Sequence, residues 1–170
     1  MNRAFRLLFA ALAVFMASCG GGEKTTYQLK DVEFTADGPL FEGANPIQYT
    51  VNVDLKSILG DKYTEGIRIT GATLKSATLR AVDSSNFDAV SSFVMSVASD
   101  NSDLNMKELA VINPVKSGSA QVVLTPSTEA TAEEFFGEKQ FYIVVDAALA
   151  KDTDNGLVFK GDFEFELTHK

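Results

Sequence analysis

The chain has 170 residues, with 15 Lys and Arg against 23 Asp and Glu, one His, one Cys and no Trp. The length suits one domain of ordinary size; a single cysteine excludes an internal disulfide, a cysteine-based zinc site and a thiol redox pair, and one histidine next to the C-terminus, His169, leaves little for histidine-based catalysis. Without the first 18 residues the net charge is −10, a balance that argues against nucleic acid as a partner.

In chain order, the first feature is a leader. Arg3 and Arg6 precede an uncharged apolar run over 7–17, followed by Ser18, Cys19 and three glycines. As a helix this run would span roughly 16 Å, about half of a hydrocarbon core, so it reads as an export signal over 1–18 rather than a membrane span. Met16-Ala17-Ser18-Cys19 resembles the lipobox of bacterial lipoproteins: an apolar residue, two small residues, then the cysteine that receives lipid. The resemblance implies cleavage before Cys19 and a diacylglyceryl group on its thiol. Met16 stands where that family usually has Leu. Residue 20 is Gly rather than the Asp that retains many lipoproteins at the inner membrane, so the resemblance implies an outer-membrane anchor, on the periplasmic face or at the cell surface. Residues 19–26 read as a lipidated cysteine and flexible tether, with an r.m.s. reach of roughly 15 Å over seven residues.

From Tyr27 onward the pattern alternates with period two, which predicts an all-β domain over 27–170. The predicted strands are 27–34, 47–55, 67–82 with a bend at Gly71, 91–98, 107–112, 120–125, 140–147 and 157–168. The clearest is the last, where Leu157, Phe159, Phe163, Phe165 and Leu167 alternate with Lys160, Asp162, Glu164, Glu166 and Thr168, and Gly161 takes the remaining inward place. In 140–147, apolar residues fall on both sides, which predicts a strand covered on both faces. Turn chemistry separates the segments, as at Asp37-Gly38-Pro39, Asn113-Pro114 and Asp154-Asn155-Gly156. The expected fold is an antiparallel β-sandwich of about eight strands, immunoglobulin-like in the spacing of short strands. Two short helical turns would close its ends, at 56–59 and at 131–136, the latter with Thr131 capping and Glu134 reaching back.

The Ala72-to-Leu79 strand, Asn86-Phe87-Asp88 leading into Phe93-Val94-Met95-Ser96-Val97-Ala98, and Gln140-to-Val145 followed by the final strand together resemble small Bacteroidota-type β-sandwich lipoproteins of uncharacterised function. The resemblance covers about 100 residues and implies fold and cell-envelope setting alone.

Few residues suggest chemistry. Asp152-Thr153-Asp154-Asn155-Gly156 has the start of a calcium loop, but the twelfth position, where a bidentate Glu is needed, is Phe163, so an ordinary turn is expected. Asp100, Asp103 and Asn105 read as a solvated loop. The carboxylates Asp162, Glu164 and Glu166 fall about 7 Å apart along one strand face, within glycosidase-type spacing, yet a row of like charges in water tunes no acid. Phe135 and Phe136 are expected in the core, and of Tyr27, Tyr49, Tyr63 and Tyr142 the one most open to solvent is Tyr63. No catalytic residue, metal site or cofactor is implied; the one site is the lipid attachment at Cys19. The expected role is that of a non-enzymatic envelope protein binding an envelope partner or extracellular ligand. The alternatives are an adhesin or fimbrial subunit that assembles through its amphipathic last strand and, third, an envelope hydrolase.

Overall fold

A computed structural model describes residues 22–82 and 86–170; the leader and Cys19 lie outside the described residues. Eight strands carry the alternating segments: β1 (Glu23–Ala36), β2 (Pro46–Asn52), β3 (Ile69–Ala81), β4 (Val90–Ala98), β5 (Lys107–Ile112), β6 (Gln121–Pro126), β7 (Gln140–Leu149) and β8 (Leu157–His169). One short helix, α1 (Leu55–Leu59), follows β2, and a 3-10 helix, Glu133–Gly137, precedes β7.

All pairings are antiparallel, in the order β1-β8-β3-β6-β5-β4-β7-β2. The sheet doubles over at the short β5–β6 pairing, Ala110 opposite Pro126 and Val111 opposite Thr125. This sets β1-β8-β3-β6 against β5-β4-β7-β2. The layers meet through apolar side chains: Phe93 of β4 lies 5.6 Å from Phe159 of β8, ring centre to ring centre, and Phe34 of β1 lies 6.3 Å from Tyr49 of β2. Apart from the β4–β5 hairpin, every consecutive pair of strands changes layer. That is the winding of a jelly roll and replaces the immunoglobulin-like arrangement expected from strand spacing. Period-two alternation is the same for either winding, because it reports which face of a strand is buried and not which strand lies beside it.

The last strand obeys its alternation. Phe159, Gly161, Phe163, Phe165 and Leu167 are buried, and β8 lies between β1 and β3 rather than at an edge. The bend expected at Gly71 is a register shift between Ile69 and Gly71 in the β3–β8 pairing. Three expectations are corrected. Residues 23–26 are not tether: Glu23, Lys24, Thr25 and Thr26 pair with His169, Thr168, Leu167 and Glu166, because the long β8 offers unpaired backbone that the start of β1 satisfies. Gly22 lies so close to the His169 carbonyl that a Cβ there would collide with it. In β7 the residues Phe141, Ile143, Val145, Ala147 and Leu149 are buried while Tyr142, Val144 and Asp146 are half-exposed, so only one face is covered. Finally, Thr131 caps nothing: the 3-10 helix has Ala132 at its N-cap with no side-chain hydrogen bond, and Glu134 turns instead to the Lys107 ammonium, 2.9 Å away. The buried Phe135 and Phe136 decide the path of this segment.

Candidate functional site

A well-formed concavity lies at the end of the sandwich where the chain enters and leaves. It is a groove of about 500 Å³, within the usual range for small-molecule sites. Three segments form it: Val53 and Leu55 after β2; Ile67, Arg68 and Ile69 leading into β3; and Glu133, Glu134, Phe136, Gly137, Glu138 and Lys139 ahead of β7.

Each segment is held by its own bonds. Asp54 caps α1, its carboxylate accepting from the Lys56 and Ser57 amides at 3.1 and 3.4 Å. The helix stops at Gly60, whose φ of 55° favours glycine. The Val53 amide donates to the Lys139 carbonyl at 2.9 Å, tying the first segment to the third. The Arg68 amide donates to the Lys170 carbonyl at 3.0 Å, fixing the second to the end of the chain. The third is pinned by Ala132 N–H to the Ala72 carbonyl at 2.8 Å, and by Lys107, which donates to the Thr131 carbonyl at 3.3 Å. Phe136 anchors it from beneath, packed edge-on against Tyr27 and Phe165 at 5.9 and 5.8 Å.

The groove combines five apolar side chains with three carboxylates and two cations. Glu134 is neutralised by Lys107, and Glu138 accepts from the Asn101 side-chain Nδ2 at 2.9 Å. Glu133 differs: its Oε2 is buried and has no hydrogen-bond partner among the described residues. A buried carboxylate oxygen without a partner forfeits the free energy of the hydrogen bonds it would make to water. In sequence Glu133 is simply the neighbour of Glu134. Its special position comes from Phe135 and Phe136 turning inward two and three residues later.

The residues singled out by sequence are scattered and mostly structural. Asp152 Oδ1 accepts from the Glu42 amide at 2.7 Å, Thr153 bridges to Leu40, and the Thr153 hydroxyl accepts from the Asn155 amide at 3.2 Å, so the segment before β8 is a braced turn. Asp100 accepts from the Tyr142 hydroxyl at 2.6 Å, which pushes the Tyr142 phenol up, since its proton is held by a carboxylate. The row Asp162, Glu164 and Glu166 is half-buried rather than fully exposed, and each member has a partner. Asp162 meets Arg80 and accepts from the Asp31 amide at 2.8 Å; Glu164 accepts from Gln28 at 2.6 Å; Glu166 pairs with Lys24 at 2.9 Å. Arg80, then the Asp31 amide, hold the Asp162 carboxyl below its ordinary range, and Lys24 does the same for Glu166. Asp31 itself has a φ of 52° at a bulge in the β1–β8 pairing and is held there by the same arginine, 2.8 Å away. His169, on the inward side of the alternation in β8, is 2% exposed, with Nε2 3.0 Å from the Thr25 hydroxyl. Tyr63 is 37% exposed.

No family model matches the chain, and no curated protein matches it. Among solved structures it is similar to a chain of Desmodium yellow mottle tymovirus, 14% identical, with 99% of this chain and 89% of that chain covered and a TM-score of 0.28. It is also similar to VP2 of the infectious bursal disease virus subviral particle, 12% identical over 88% of this chain and 43% of that chain, TM-score 0.35. A chain of mud crab tombus-like virus is 13% identical, with 99% and 94% covered and a TM-score of 0.24. None of these similarities bears on what the chain does.

Proposed function

We propose that this is a lipid-anchored, non-enzymatic binding module of the bacterial envelope, held at the outer membrane through Cys19. The observation that carries the reading is the position of the chain's lone cysteine. It follows two small residues at the end of an uncharged apolar run and stands only four residues before β1 begins at Glu23. The three residues between Cys19 and Glu23 reach about 10 Å when extended, shorter than the tether expected from sequence. The groove end of the sandwich would therefore sit at the headgroup level. Two or more acyl chains, at about 0.8 kcal/mol per buried methylene, make such an anchor effectively permanent.

The non-enzymatic part rests on residue types. The one histidine is buried against Thr25, and the paired carboxylates of β8 are engaged by Arg80, Gln28 and Lys24. The partner is an envelope protein or an extracellular ligand. Assembly by donation of the last strand is disfavoured, since β8 has β1 on one side and β3 on the other and offers no free edge. Detergent-phase partitioning tests the reading. The wild-type protein enters the detergent phase and Cys19→Ala stays in the aqueous phase or keeps its uncleaved leader; retention of a cleaved Cys19→Ala chain in the membrane would refute it.

A further inference from the structure

We infer that the free edge of β2 receives an extended segment of an envelope partner, which adds beside it as a further strand. The inference rests on the binding-module reading and names the kind of partner. β1 and β2 end the strand order, so each has one unpaired edge. The Val53 amide donates to the Lys139 carbonyl, in register with the β2–β7 pairing, so the odd residues of β2 turn their backbone groups to β7. Gln48, Thr50 and Asn52 therefore turn their N–H and C=O groups outward. The two edges differ in how they resist a further strand. On β1 the register breaks between Leu29 and Val32, Asp31 stands at a φ of 52°, and Lys62 donates to the Lys24 carbonyl at 2.7 Å. Lys24, Lys30, Asp31 and Glu33 are exposed along the same strand. Bulges and edge charges are devices that block strand addition. β2 lacks them: its seven residues keep one register, and no charged residue stands between 43 and 53.

The partner's chemistry follows from the two faces of β2. On the core side Tyr49 is only half-buried, 6.3 Å from Phe34 across the seam between β2 and β1, so an entering strand gains burial by setting apolar side chains there. On the outer side Gln48, Thr50 and Asn52 are exposed and neutral, so uncharged polar residues suit the positions opposite them. The chain is acidic, which favours basic flanks. A second copy of this chain does not fit the proposed anchor. Two β2 edges related by a twofold axis run antiparallel, which turns the Cys19 end of one molecule away from the membrane that holds the other.

Titration calorimetry and amide hydrogen exchange of the full chain test this, in lipid nanodiscs if the chain carries lipid and in buffer if it does not. The probe is the peptide acetyl-Lys-Thr-Val-Thr-Val-Thr-Val-Thr-Lys-amide. It is expected to bind saturably and to slow exchange at Gln48, Thr50 and Asn52 by about tenfold or more, while Thr26 and Gln28 on β1 keep their rates. The threonine amides face β2 when the valines face the seam. N-methylating them should weaken binding by about tenfold or more, and N-methylating the valine amides should leave it unchanged. Thr50→Pro removes an N–H that faces away from β7 and should abolish binding. Thr50→Lys leaves the backbone intact and should weaken binding severalfold. Protection at Thr26 and Gln28 instead, equal losses from the two methylation patterns, indifference to both Thr50 variants, or no saturable binding would each overturn the proposal. A lipidated chain that fails to bind sinks the partner strand alone; an unlipidated chain that binds sinks the anchor alone.

Discussion

At the residue scale, β8 places opposite demands on adjacent side chains. Phe163 and Phe165 are buried, Phe163 edge-on to Phe34 at 6.0 Å and Phe165 edge-on to Phe136 at 5.8 Å. Truncating either to Ala should cost about 3–5 kcal/mol, through lost burial and the cavity left behind. Glu164 points outward with one exposed hydrogen bond, so Glu164→Ala should cost about 0.5 kcal/mol or less. Gly161 is the third kind of residue on this strand. A Cβ there would lie 2.5 Å from the Phe163 ring and 3.1 Å from that of Phe34, so Gly161→Ala should overpack the core by about 1–3 kcal/mol. Denaturant titrations of these variants measure all three, and equal costs at Phe163 and Glu164 would refute the register. Asp162 adds a pH dependence. Its folded carboxyl is held below the ordinary value by Arg80 first and by the Asp31 amide second. Its contribution is therefore complete above the unfolded value, near pH 4, and is lost as pH falls through the lower folded value. Asp162→Asn should flatten the loss of stability on acidification below about pH 4; an unchanged slope would show that the pairing does not stabilise the fold.

At the element scale, strands were legible wherever one face is buried and the other wet. The β5 segment 107–112 matches its expected bounds, and β8 extends only one residue further, to His169. What local patterning does not contain is the partner. Glu23 to Thr26 look structureless until β8 is placed beside them, and the burial of His169 follows from the same pairing. The groove is legible least, because its walls come from residues near 54, 68 and 136 and no local signal joins them. Capping gives a direct test of local against tertiary control. Asp54→Ala removes two observed cap bonds and should cost about 0.5–2 kcal/mol. Thr131→Ala removes a cap that sequence spacing suggested but the fold does not make, and should change stability by about 0.5 kcal/mol or less. Thermal melts of the two variants decide it; comparable losses would mean that Thr131 does cap.

At the scale of the whole molecule, the proposed anchor at Cys19 would leave only Gly20, Gly21 and Gly22 between lipid and the first strand of the jelly-roll sandwich. With the proposed lipid on Cys19, such a short connection would fix which end of the sandwich meets the membrane. It would place the groove, the chain entry and the C-terminal Lys170 on that side, and the loop carrying the 65%-exposed Phe41 on the other. That orientation depends on the proposed lipidation of Cys19. The most direct measurement is the intact mass of the mature protein purified from envelopes, together with the mass of its N-terminal peptide. The account predicts a chain that begins at Cys19, lacks residues 1–18 and carries a diacylglyceryl group on that cysteine. A chain that keeps its leader, begins at another residue, or starts at Cys19 with a free thiol would contradict it.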